Sequence, residues 1–383
     1  MKNRNHAFDL LCGICIIRMI TLHVTNACGF GTADWWTPVM QWTYFFMSFF
    51  FFKAGYFNKT VSGNTKAYLA DKAKRLLIPY LTWGIIGNCI YFFFVIFILS
   101  PQNTLSTQVK ISHLWESSQF YGNAPCWFLF SFFIAYIVAH LISKVPPLFH
   151  VTFLGKKRNF KIHWFIFLTP FVSYWLHTQG NPLWLGLDNV FIGIFLFYLG
   201  RVWHFAIEKM GENITLGVSG VLLSIFICLN GIYGGSYSMA ENLWQGHPLI
   251  VTANITLALC GLSGILLSIR LPRIPVINYI GEHSMVFFVA HYPLLMLYKM
   301  IRSANVKTLR NHWDDYTILL LILFGVCFLL VPHIEKVPWL SGRWKKSTAT
   351  SGHQKPHPLL AETSLSQKNE HNTKDIQEKD LTL

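Results

Sequence analysis

Ten apolar runs recur along the chain, at residues 7–25, 39–57, 76–99, 124–143, 161–177, 184–203, 214–232, 247–269, 283–301 and 316–332. Each is long enough, at about 17 to 25 residues, to cross roughly 30 Å of hydrocarbon as an α-helix. In lipid every backbone polar group has to be satisfied within its own segment, so repeated runs of this length restrict the chain to an all-α fold. The expectation is a polytopic membrane helical bundle with about ten transmembrane helices. The chain is 53% hydrophobic and only 13% charged, which excludes an ordinary soluble domain. From Ser341 the pattern stops and Lys, Gln, Ser, Thr, Asn and His take over. Residues 1–340 therefore read as one membrane domain and 341–383 as a polar, disordered cytoplasmic tail. The first run has no small-residue cleavage site and carries charge inside it, so it is expected to stay in the mature protein.

The net charge of +14 does not point to nucleic acid, because the cations sit between apolar runs instead of on one soluble face. Lys2 and Arg4 precede the first run, Lys59, Lys66, Lys72, Lys74 and Arg75 follow the second, and Lys144, Lys156, Lys157 and Arg158 follow the fourth. The connections at 26–38, 178–183 and 231–246 contain neither Lys nor Arg. By the positive-inside rule both termini are cytoplasmic and the protein is a multi-pass one of the inner (cytoplasmic) membrane. Arg302, Lys307 and Arg310, in an outer connection, run against that bias. The eight cysteines lie in or beside apolar runs without paired or metal-ligand spacing, and read as small core residues, with no metal site.

The first run, FDLLCGICIIRMITLHV, holds three ionisable groups. An ionisable side chain in hydrocarbon is costly enough that it usually faces a polar cavity or a partner. At about 100° per residue, Asp9, Cys12 and His23 fall on one side of a helix and Arg18 points elsewhere, toward a neighbour of its own. His23 lies about 22 Å along the helix from Phe8, well past mid-membrane. Imidazole can act there as base, acid or nucleophile, because it titrates near neutrality; the alternative is a histidine hydrogen-bonded between helices. Asp9 is about 21 Å from His23 along the helix and is assigned to structure or an inner charge partner.

An aspartate opening the first helix with a histidine fourteen residues later resembles the start of the acyltransferase 3 family of integral membrane O-acyltransferases. FFFKAGYF at 50–57 resembles that family's second helix, KAKRLLIPYL at 72–81 its basic motif, and CWFLFSFF at 126–133 its fourth helix. INYIGEHSMVFFVAHYPLL at 277–295 is similar to its Gly-x-x-Ser helix, and LWLGLDNVFIGIFLFYLGRV at 183–202 to the fucose 4-O-acetylase-like subgroup. Two positions depart: Cys12 stands where the family commonly has a cation, and the basic motif begins with Lys72 instead of arginine.

What the resemblance implies is transfer of an acyl group, acetyl by expectation, from acyl-CoA (acetyl-CoA) to a hydroxyl of a carbohydrate or glycolipid acceptor. His23 is then the base, with His291 and Arg18 beside it in catalysis. Lys72 and Arg75, at the inner start of the third run, would meet CoA phosphates, with Lys53 as a further cation; the alternatives are membrane anchoring and snorkelling. Asp188 and Trp127 would bind the acceptor, against plain interfacial placement. His140, His163 and His177 lie near run ends and read as interfacial. A transporter or exporter of a glycan or lipid-linked substrate is the rival reading, since buried charges also suit a permeation path.

Overall fold

The computed structural model describes residues 6–58, 64–97, 114, 116–145, 149–150, 161–162, 164–180, 183–269, 271–304 and 313–344. Its helices are α1 His6–Ala27, α2 Trp36–Thr43, α3 Ser48–Phe57, α4 Thr65–Lys72, α5 Ile78–Phe97, α6 Trp127–Ile142 and α7 Thr169–Thr178. They continue with α8 Asp188–Tyr233, α9 Pro248–Ser268, α10 Pro275–Glu282, α11 Ser284–Ala304, α12 Trp313–Ile334 and α13 Pro338–Ser341. Strand among the described residues is confined to two short pairs, Phe149–His150 with Lys161–Ile162 and Ser236–Ser238 with Leu243–Gln245. The fold is the all-α membrane bundle that the apolar runs require.

Six described stretches are long and apolar enough to cross a membrane. One of them, Trp184–Tyr233, turns at Gly211, whose φ of 73° and ψ of 169° suit only glycine. It thereby accommodates two expected runs, 184–203 and 214–232. The shorter Ser284–Met300 is also apolar. Two expected runs take a different form. Residues 39–57 are broken: α2 stops at Thr43, a 3-10 turn covers Tyr44–Phe46, and α3 follows. Residues 161–177 give, where described beyond 163, a 3-10 turn at Trp164–Leu168 and then α7, which begins Thr169–Pro170. At ten residues α7 is roughly 15 Å long, short of a full crossing.

Helix α1 lies inside the bundle, packed against α3, α9, α10, α11 and α12, with Phe8, Ile16, Ile20 and Val24 essentially inaccessible. Glycine permits the closest helix contact. A Cβ on Gly55 of α3 would overlap the Phe197 carbonyl of α8, and one on Gly200 of α8 would overlap the Phe52 carbonyl of α3. In a bilayer, where apolar burial between helices adds little, such backbone approach is what holds a pair together.

The expected inner end is tied by charge and by indole donors. Glu335 accepts from His283 Nδ1 at 2.5 Å and from Arg343 at 2.6 Å, Arg273 pairs with Glu282 at 2.9 Å, and Trp83 Nε1 donates to the Leu340 carbonyl at 2.9 Å. Contacts continue through Trp344, whose indole donates to the Lys74 carbonyl at 2.8 Å. Lys2, Arg4, Lys59, Lys156, Lys157, Arg158, His163, Lys307, Arg310 and the tail from 345 lie outside the described residues, as does the Arg302 side chain.

Candidate active site

A cavity of about 350 Å³ opens between α1, the broken second run, the start of α6, α11 and the Ser236–Gln245 hairpin. His23, Tyr44, Trp127, Phe288 and Glu241 are on its wall. The break in the second run builds much of it, because Met40, Tyr44, Phe46 and Met47 all face inward there. On one continuous helix Met40, Tyr44 and Met47 would share a face within about 60°, but Phe46 would point about 120° away, so the break is what adds Phe46 to this wall.

His291 of α11 comes to His23 with ring centroids 5.3 Å apart, and Tyr292 meets His23 edge-on at 5.2 Å. His291 is fully buried. Its Nδ1 donates to the carbonyls of Phe288 at 2.8 Å and Phe287 at 3.1 Å, which leaves the lone pair on Nε2. Nε2 has no hydrogen-bond partner among the described residues. Pro293, two residues on, has no N–H to give the Val289 carbonyl. Asn123 supplies the missing donor from the loop before α6, at 3.0 Å, and so fixes α11 beside His23.

Arg18, 7% exposed, does have separate neighbours. Its Nε donates to Thr43 Oγ1 at 2.5 Å, Nη2 approaches Met40 Sδ at 2.8 Å, and the guanidinium lies 4.5 Å from the Trp36 ring and 5.0 Å from that of Phe46. The Thr43 hydroxyl donates onward to the Val39 carbonyl. Arg18 is thus behind Met40 and Phe46, off the cavity wall itself, with Nη1 buried and unpartnered among the described residues.

Lys53 does not snorkel outward: its ammonium donates to Cys12 Sγ of α1 at 2.8 Å. Lys72, just before the π-helical turn Ala73–Leu77, lies 4.0 Å from the Tyr136 ring, and Arg75, within that turn, pairs with Asp71 at 2.8 Å. A π-turn of this kind is frequent at functional sites. None of these three cations is on the wall of the His23 cavity. Asp9 is grouped at the opposite end of α1 with His6 and Glu282. His140, in the last turn of α6, is buried and stacks on Tyr68 at 4.4 Å.

Trp127 is on the cavity wall, whereas Asp188 is buried at the first position of α8, beside Asn242 and off the wall. Tyr292, Tyr44 and the hairpin at 236–245 are the residues that sequence reasoning passed over. The one available signal was a cation-free polar connection, SYSMAENLWQ, flanked by glycines and set between two apolar runs. The family model described as an acyltransferase domain matches residues 5–332, which takes in every residue of the candidate site. No curated protein and no solved structure matches the chain.

Proposed function

Since the chain belongs to the acyltransferase 3 family of membrane acyltransferases, we propose that it moves an acetyl group from cytoplasmic acyl-CoA to a hydroxyl of a sugar in a cell-surface or exported glycan. The observation that carries this reading is His23 on the wall of a cavity within apolar helices, with fully buried His291 packed directly against it. His23 takes the proton of the acceptor hydroxyl. The oxygen bonds to the thioester carbonyl carbon, the carbon–sulfur bond breaks, and the imidazolium returns the proton to the departing thiolate. His291, buried behind His23 with its Nε2 lone pair free among the described residues, orients the His23 ring, whose own lone pair takes the single hydroxyl proton. Arg18, fixed behind Met40 and Phe46, adds positive potential for the tetrahedral oxyanion without touching it.

Lys72 and Arg75 are the proposed inner contacts for CoA phosphates, with the Lys53–Cys12 pair between them and His23. On this reading the termini are cytoplasmic and the cavity lies toward the outer side of an inner membrane. The choice of a sugar acceptor follows the likeness of residues 183–202 to fucose 4-O-acetylase-like proteins.

The test is His23→Ala, read as acyl content of the surface glycan by mass spectrometry together with protein level in the membrane. Acylation should fall by about 100-fold or more at normal protein level, the scale of a lost general base. Unchanged acylation removes His23 from the chemistry. Less glycan at the surface with the same acyl content per sugar favours the exporter reading.

A further inference from the structure

The hairpin over the cavity is organised by one buried amide. Asn242, 2% exposed, sits at its turn with a φ of 48°, a left-handed conformation that Asn tolerates better than most residues. Its Oδ1 accepts from Ser173 Oγ at 2.6 Å, Trp244 Nε1 at 3.1 Å and Tyr237 OH at 3.2 Å, and its Nδ2 donates to the Ser173 carbonyl at 3.0 Å. Burial pushes the Tyr237 phenol up, so it remains a proton donor to that oxygen. The Tyr237 and Trp244 rings pack at 4.5 Å, and Tyr174 of α7 closes on Trp244 at 5.9 Å. The hairpin is therefore bolted to α7 from its buried face.

Its cavity side mixes polar groups with the apolar side chains of Met239, Ala240 and Leu243, on the cavity that His23 also lines. Ser236, Ser238, Glu241 and Gln245 are on the cavity wall, with the Ser236 hydroxyl donating to Gln245 Oε1 at 2.7 Å. The same wall offers the Trp127, Tyr44 and Phe288 rings as apolar surface. Hydroxyl and amide groups opposite aromatic faces suit a sugar ring, which has polar edges and apolar C–H faces. Among the described wall residues Glu241 is the one carboxylate, and neither Lys nor Arg is present. A sugar carboxylate or phosphate there meets like charge, whereas an ammonium meets its counterion.

We propose, on the reading that this cavity takes the acceptor, that the Ser236–Gln245 hairpin is the acceptor-selecting element. Glu241 restricts the sugar at the cavity to one without negative charge and favours an amino-bearing unit. Asn242 is the positioning residue that holds Glu241 where it can discriminate.

The probes are the methyl glycosides of glucosamine, glucose and glucuronic acid, titrated against the full chain in lipid nanodiscs by tryptophan fluorescence, since Trp127 borders the cavity and Trp244 the hairpin. The wild type should rank them amino, neutral, acidic, with a span on the order of tenfold in Kd, as expected for a partly screened charge contact. Glu241→Gln should compress the span and Glu241→Lys should invert it. Asn242→Ala should bring the ratio toward one without inverting it. Each variant is scored by ratios within one preparation, so a lower folded fraction cancels. The same order in wild type and Glu241→Lys overturns the proposal, as does failure of all three glycosides to bind the wild type. Acyl transfer from acetyl-CoA is measured in parallel: expected ranking without transfer to any glycoside leaves the selecting hairpin standing and overturns the acyl-transfer reading instead.

Discussion

A neutral imidazole holds one ring proton, and in His291 that proton is committed to the carbonyls of Phe287 and Phe288. The residue therefore meets His23 as an acceptor only, and its value to the chemistry lies in the Nε2 lone pair. His291→Phe keeps a ring of similar size and removes that lone pair. The expected outcome is a fall in acyl-transfer kcat of roughly 10- to 100-fold, below the loss from His23→Ala, since one oriented acceptor contributes less than the base itself. Thermal unfolding of the purified variant in the same lipid should remain near wild type. An unchanged kcat would reduce His291 to a packing residue. At this scale the sequence was informative about angles and silent about partners. Helical periodicity separates Arg18 from His23, but nothing local announces that Arg18 is held by Thr43, Met40 and Trp36, or that Lys53 reaches Cys12 from another helix.

The elements were legible where hydropathy alone decides them, as in α1, α6, α9 and α12. They were not legible where tertiary contact overrides it. Through QWTYFFMSFF the apolar pattern runs on without Gly or Pro, yet the backbone leaves the helix at Thr43, at φ −127° and ψ 13°, where the hydroxyl meets Arg18. The hairpin was hidden for a related reason: its organising bonds join Asn242 to Ser173, 69 positions away. Helix pairing follows from glycine placement, which gives a prediction at this scale. Gly55→Ala drives a Cβ into the Phe197 carbonyl backbone, which has no side-chain freedom with which to retreat, so α3 and α8 must part. Folded yield from membranes, read by size exclusion, should drop severalfold. Gly217→Ala, on α8 beyond its turn at Gly211 and with nothing within 4 Å of its Cβ, should leave yield unchanged or slightly raised, since alanine favours helix by up to about 1 kcal/mol. Equal yields for the two would mean that close approach at Gly55 does not set the assembly.

For the whole molecule, orientation decides which ends of the helices meet donor and acceptor. Cations cluster on one set of connections, and the connection at 26–38 carries none. A membrane-impermeant maleimide should therefore label Asp34→Cys in intact cells above the wild-type background, and Lys66→Cys only after the membrane is opened; the reverse pattern would put the His23 cavity on the cytoplasmic side. The described end of the chain adds a second constraint. The family match stops at residue 332, but the compact unit runs to Trp344. Arg343 joins Glu335 at 2.6 Å and donates to the Glu282 carbonyl at 2.8 Å, while Trp344 reaches back to Lys74, between Lys72 and Arg75. The residues just past the sequence-defined boundary at 340 thus brace the basic turn proposed to meet CoA. A chain ending at Trp344 should keep the Tm and the KM for acetyl-CoA of the full-length protein. One ending at Leu340 loses both braces, solvent-exposed bonds worth about 1 kcal/mol. It should melt several degrees lower and show a raised KM for acetyl-CoA, with the KM for the acceptor unaltered. If the two truncations behave alike, the brace is not felt at the basic turn, and Lys72 and Arg75 are membrane anchors rather than donor contacts.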